Sequence, residues 1–135
     1  MRLFAMMLLA MMSGGAAADW TLVERQGDGN NLYADSATIR RNGDIASIWV
    51  VHDGKTPVVD RESGKKALST RSQYEFDCKN MKLRILSTSN YSGNMGKGSV
   101  TYSAKPDARD EWGKWNAVVF ESEDGALWKF ACVKR

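Results

Sequence analysis

Two cysteines and one histidine are the side chains in this 135-residue chain whose types point first to nucleophilic or metal chemistry. Cys78 and Cys132 stand 54 positions apart. His52 comes at the end of an apolar run and just before Asp53-Gly54, where an imidazole is expected to be a solvated turn residue rather than a catalyst. A zinc centre needs about four ligands, and one histidine with no CxxC pair leaves it short. A catalytic triad needs a base beside an activated nucleophile, and the chain has no GxSxG element to supply one. Carboxylates distant in sequence can still meet as a glycosidase-like pair, and a hydrolase of that kind is the remaining catalytic alternative. The stretch Ser92 to Gly98, SGNMGKG, places a lysine after a glycine as phosphate loops do. Its spacing is GxxGKG rather than GxxxxGK[ST], and no hydroxyl follows Lys97, so its glycines are expected to serve a tight turn. The expectation is therefore no catalytic residue, no cofactor and no metal site.

The remaining candidates are charges. Arg71, with Lys65 and Lys66 just ahead of its strand and Lys82 and Arg84 on the partner strand, would form a basic stripe able to meet an acidic or sulfated partner protein. Glu75 and Asp77 interrupt the stripe, and an ordinary solvated face is the plainer account of it.

The chain's start says where these residues work. Residues 1–18 carry one charge, Arg2, then an apolar run from Leu3 to Met12 and small residues ending in Ala16-Ala17-Ala18. That is the pattern of a secretory signal peptide cleaved before Asp19, and a run of about 10 apolar residues falls short of the ~20 that cross a bilayer. Removing 18 residues from 135 leaves 117, enough for a single domain over 19–135. The mature chain is expected to have no transmembrane segment. No cysteine lies near the cleavage site, so it is expected not to be lipidated, and to be periplasmic or displayed at the cell surface. Removing Arg2 from 19 basic residues leaves 18 against 16 acidic ones, too even a balance for a nucleic-acid partner. In an oxidising compartment two cysteines are expected to form a disulfide, which would close a long loop; free or metal-bound thiols are the rival reading.

Alternation of side chains supplies the scaffold. Trp20–Arg25 and Leu32–Asp35 read as short strands around the turn-rich QGDGNN, and Asp35 or Ser36 can cap a single helical turn. Asn42-Gly43 is a strong hairpin signal leading into Asp44–Asp53, a strand apolar on both faces and so central. Lys55–Lys66 reads as a charged surface loop. From Ala67 to Cys78 the chain alternates again, turns at Lys79-Asn80, and returns through Met81, Leu83 and Ile85. Ser99–Ser103 is a further strand expected to point Val100 and Tyr102 inward. After a polar loop from Lys105 to Lys114, Ser122 caps a last helix with Glu123 and Asp124 in its first turn. Leu127, Phe130 and Ala131 would lay that helix on the sheet, where Cys132 would meet Cys78. The fold class expected is α+β: an antiparallel sheet of five or six strands, a C-terminal helix packed on it, and one disulfide.

Taken in order, Trp20, Tyr33-Ala34-Asp35-Ser36-Ala37-Thr38-Ile39, Asn42-Gly43, the Trp49 strand, Arg71-Ser72-Gln73-Tyr74-Glu75-Phe76-Asp77-Cys78, Tyr91-Ser92, Gly96-Lys97-Gly98 and Leu127-Trp128-Lys129-Phe130-Ala131-Cys132 are similar to the surface-adhesin protein E family. The resemblance implies a sheet with a helix on it and a Cys78–Cys132 disulfide. For the member that gives the family its name it implies a surface protein that binds host extracellular proteins such as vitronectin and laminin, as a dimer. This chain departs from that member in lacking a lipidated cysteine, and from the family's usual pattern in having no proline in Asn116–Glu121. The function expected is a non-catalytic, adhesin-like protein-binding module. The alternative is a soluble periplasmic protein that binds an envelope component or a small ligand.

Overall fold

A computed structural model describes residues 19–27 and 29–133; the expected signal peptide, residues 1–18, lies outside the described residues. Among the described residues eight strands form one antiparallel sheet. They are β1 (Trp20–Arg25), β2 (Asn31–Asp35), β3 (Arg40–Asn42), β4 (Ile45–Val59), β5 (Lys66–Asp77), β6 (Lys82–Tyr91), β7 (Val100–Ala104) and β8 (Asn116–Ala117). The main path runs β1-β2-β4-β5-β6-β7, with β3 paired to β4 and β8 paired to β6. The six strands of that path are those expected from alternation. The two additions are three and two residues long, too short for a period of two to show in the sequence.

Strand β4 is longer than expected. It continues through Lys55–Val59 and pairs with β5 again at Val58 and Val59, so the stretch expected as a loop is largely a hairpin with its turn at 60–65. The pairing breaks between Asp53 and Val58. That irregularity, with Pro57 unable to donate to a ladder, hides the strand from a composition-based reading.

One face of the sheet carries Leu32, Ala34, Ile48, Val50 and Phe76, all sealed from solvent. Against this face packs α1 (Glu123–Trp128), which continues as a π-helical turn over Lys129–Val133. Ser122 caps it, its hydroxyl accepting from the Asp124 amide, and Leu127, Phe130 and Ala131 enter the core as their spacing requires. Gly125 in its first turn lies so close to Phe120 that an added Cβ would sit 2.2 Å from the Phe120 carbonyl oxygen. The Cys78–Cys132 disulfide, with Cα atoms 5.6 Å apart, ties the end of this helix to the turn after β5.

Edge strand β7 does not bury its apolar residues. Val100 is 51% exposed and Tyr102 49%, because among the described residues β7 pairs only with β6 and no helix or strand covers the side where they were expected to be inside. Alternation marks a strand's two sides without saying that either is covered.

Candidate functional site

The face of the sheet opposite α1 is covered at one end by the short 3-10 turn Asn94–Gly96 and otherwise has no helix over it among the described residues. Its side chains come from alternate positions: Trp49 on β4, Arg71, Gln73 and Glu75 on β5, and Lys82, Arg84, Ser87 and Ser89 on β6. The register sets Val51 opposite Arg71, Trp49 opposite Gln73, Arg84 opposite Glu75 and Lys82 opposite Asp77. Two cations stand over indole rings here. The Arg71 guanidinium carbon lies 4.3 Å from the Trp49 ring centroid, and that of Arg84 lies 4.4 Å from the centroid of Trp115. Such contacts at partly exposed sites are worth about 0.5–1 kcal/mol, and they also hold a flexible side chain in one orientation.

The two arginines differ in what remains available. Arg84 donates to Glu75 Oε1, its Nε at 2.9 Å, so its charge is largely matched. Arg71 has no carboxylate within ion-pair distance among the described residues, and its Nε is buried without a hydrogen-bond partner there. Its guanidinium is thus a cation oriented by Trp49 and not neutralised by any carboxylate of the described residues.

The glycine-rich loop covers the end of this face nearest Arg71. Asp53 Oδ1 accepts from the Met95 amide at 2.8 Å and from Asn94 Nδ2 at 3.0 Å. Ser69 donates from its hydroxyl to the Gly93 carbonyl and accepts from the Gly96 amide. Positive φ angles at Met95 and Gly96 fold the loop down, bringing the Gly96 backbone against the Arg71 side chain. The segment is a turn, as expected, and it is also a clamp on the open face.

Of the five basic residues expected to line a stripe, Arg71, Lys82 and Arg84 share this face. Lys65 lies in the β4–β5 turn and Lys66 at the first position of β5, both exposed. The 12 residues of β5 span roughly 36 Å at ~3.3 Å each, so the lysine pair and Lys82 occupy opposite ends of the hairpin. The aromatic members of the site, Trp49 and Trp115, were absent from the candidates. Trp49's place on the odd-numbered side of β4, with Val51, is the signal that could have found it. Trp115 carried no such signal, since it sits at the end of an irregular loop.

That loop, residues 105–115, wraps the edge of β6. The Ile85 amide donates to the Trp112 carbonyl at 2.8 Å, and the chain passes from Trp112 on the helix side to Trp115 on the open side. On the helix side His52 is not the solvated turn residue expected: it lies within β4, half-buried, with Nε2 3.2 Å from Glu123 Oε1. The sequence offers no warning of this, because the pair is 71 positions apart. Among the described residues no three His, Cys, Asp or Glu side chains are grouped to hold a metal ion. No helix of the described residues is long and apolar enough to cross a membrane.

The family model for surface-adhesin protein E matches residues 20–133. No curated protein matches the sequence. Among solved structures, Haemophilus influenzae protein E superposes with a TM-score of 0.61 at 18% identity, covering 84% of this chain and 83% of that one. A second crystal form of the same protein gives 0.60 at 19% identity, covering 87% and 97%. Protein E from non-typeable Haemophilus influenzae gives 0.57 at 18%, covering 82% and 78%. At these identities the likeness is one of fold.

Proposed function

The chain belongs to the surface-adhesin protein E family, and from that premise we propose that it is an exported, non-catalytic module that binds another protein through the open face of its sheet. The observation that carries this is Arg71: a cation held over Trp49, unmatched by any carboxylate of the described residues, on a face that among those residues is covered only at its Gly96 end. Arginine and tryptophan are among the residue types that dominate binding energy at protein interfaces, and stacking on Trp49 already restrains the otherwise flexible Arg71 side chain. Lys82 and the outer side of Arg84 extend the positive surface, and the row of Ser87, Ser89 and Ser103 hydroxyls beside them can exchange hydrogen bonds with a partner backbone. The partner is a protein with an acidic surface, of the host extracellular matrix if the domain is displayed outside the cell. Export by the 1–18 segment and display without a lipid anchor are part of the same reading, as is association into a homodimer. Lys65 and Lys66, at the far end of the hairpin, contribute by attraction at a distance rather than by contact.

Protease treatment of intact cells followed by binding assays tests the reading in two stages. Digestion of the protein from outside, binding to immobilised laminin or vitronectin, and at least tenfold weaker binding by Arg71→Glu/Lys82→Glu with unchanged thermal unfolding support it. Protection until the outer membrane is opened defeats surface display. Binding indifferent to the charge reversal removes the open face as the contact.

A further inference from the structure

On the helix side of the sheet, between the first turn of α1 and the 105–115 loop, lies a cleft of about 550 Å³, within the range of small-molecule sites. Tyr74, Leu83 and Ile85 line it from the sheet, and Trp112, 65% exposed, lines it from the loop. At the helix end stand Glu123 and Asp124.

The two carboxylates are in different states. Glu123 is engaged by His52 and by Gln26 Nε2, the latter at 2.7 Å. The Asp124 carboxylate accepts no hydrogen bond from the described residues, and partial burial together with the neighbouring Glu123 charge raises its pKa. No lysine or arginine lines the cleft. An independent sign of an absent guest is Tyr74. It is only 6% exposed, its ring lines the cleft, and its hydroxyl makes no hydrogen bond to any described residue although it lies in the field of both carboxylates. The ring is buried but the hydroxyl is not among the sealed unpartnered atoms, so it opens into the cleft where a guest would meet it.

We propose that this cleft binds a small organic ammonium ion, with its N–H groups on the Asp124 carboxylate and the Tyr74 hydroxyl oxygen and its apolar body against Leu83, Ile85 and the Trp112 ring. The charge of such a guest matches the unpaired carboxylate, its donors suit acceptors that have none, and the indole gives its body an aromatic surface. An anion of the same shape meets two carboxylates, and the one basic group in the lining, His52, is already engaged by Glu123. The site lies on the opposite side of the sheet from the protein-binding face and stands whether or not that reading does.

Tryptamine is a suitable probe and indole-3-propionate its charge-reversed control, titrated into the full domain by calorimetry and by 15N-resolved NMR. The expected result is one saturable tryptamine site that perturbs the Tyr74 and Trp112 signals, with the anion at least tenfold weaker, about 1.4 kcal/mol. Asp124→Asn and Trp112→Ala should each weaken tryptamine about tenfold, and Asp124→Asn should also erase the preference over the anion. Trp112 is exposed enough for its variant to fold, so a failure of Asp124→Asn to fold leaves the test intact. Tryptamine weaker than about 10 mM, equal binding of the two probes, or signals perturbed only elsewhere overturns the proposal.

Discussion

The His52 imidazole and the Glu123 carboxylate lie 3.2 Å apart, joining the middle of β4 to the first turn of α1. The hydrogen bond from His52 holds the Glu123 carboxyl below its ordinary 4.5, against a smaller upward push from burial. A carboxyl lowered in the folded state stabilises the fold above its unfolded value, and that contribution is lost as pH falls through the folded value. Glu123→Gln should therefore cost about 1 kcal/mol at pH 7, the upper end for a partly exposed pair. In denaturant titrations the difference from the parent chain should shrink once the pH is well below 4.5. Asp124 has the opposite sign. Its raised carboxyl disfavours folding above that value, so Asp124→Asn should be neutral or slightly stabilising at pH 7 in the same titrations.

The Asp53 carboxylate holds the glycine-rich loop onto the sheet through two hydrogen bonds, to Met95 N and Asn94 Nδ2. Asp53→Ala should leave global stability lowered by about 1–2 kcal/mol. The effect should concentrate locally, with amide exchange at Met95 and Gly96 accelerated about tenfold while the β4 and β5 core amides change little. Uniform acceleration across the domain would show that the loop is not a separate unit.

How far the residues announced this structure follows from which interactions are local. The Asn42-Gly43 turn, the Asp35 and Ser122 caps and the alternation in β5 act over a few positions, and each was legible. Tertiary facts were less so. Val100 and Tyr102 alternate as a buried strand does, yet lie at an uncovered edge. Arg71 was a candidate for its charge, but its lack of a carboxylate partner depends on what β4 and β6 bring beside it. The stacking of Arg84 on Trp115 joins a strand to an irregular loop, and no periodicity links the two. The disulfide was accessible because only two cysteines exist.

Gly125 offers a substitution whose sign separates local from tertiary control. Alanine favours a helix interior by about 1 kcal/mol over glycine. Here its Cβ would fall 2.2 Å from the Phe120 carbonyl oxygen and 2.6 Å from the carbonyl carbon, both backbone atoms. Gly125→Ala should thus destabilise by about 2 kcal/mol or more, with the near-ultraviolet circular dichroism of the packed aromatics altered. A gain in stability would mean that the Phe120 segment yields freely.

Loss of the disulfide should be the most damaging single chemical change. Closing a loop of 54 positions contributes roughly 4 kcal/mol in the chain-entropy model. The Cys78→Ser/Cys132→Ser chain should unfold at markedly lower urea concentration, and reduction of the parent should reproduce that midpoint. An unchanged midpoint would mean that helix packing alone holds the C-terminus.

The same covalent link decides how the domain behaves under tension. A pull between its two ends travels along β1 to β5 as far as Cys78, crosses to Cys132 and leaves, so the chain between the cysteines is bypassed. Strands β6, β7 and β8 and helix α1 all lie in that bypassed stretch. At ~3.5 Å per residue, roughly 190 Å of chain cannot be drawn out while the bond is intact. Stretching spends its work on β1 to β5, and the part of the molecule that carries Arg84, Lys82 and Trp115 keeps a fixed length under load.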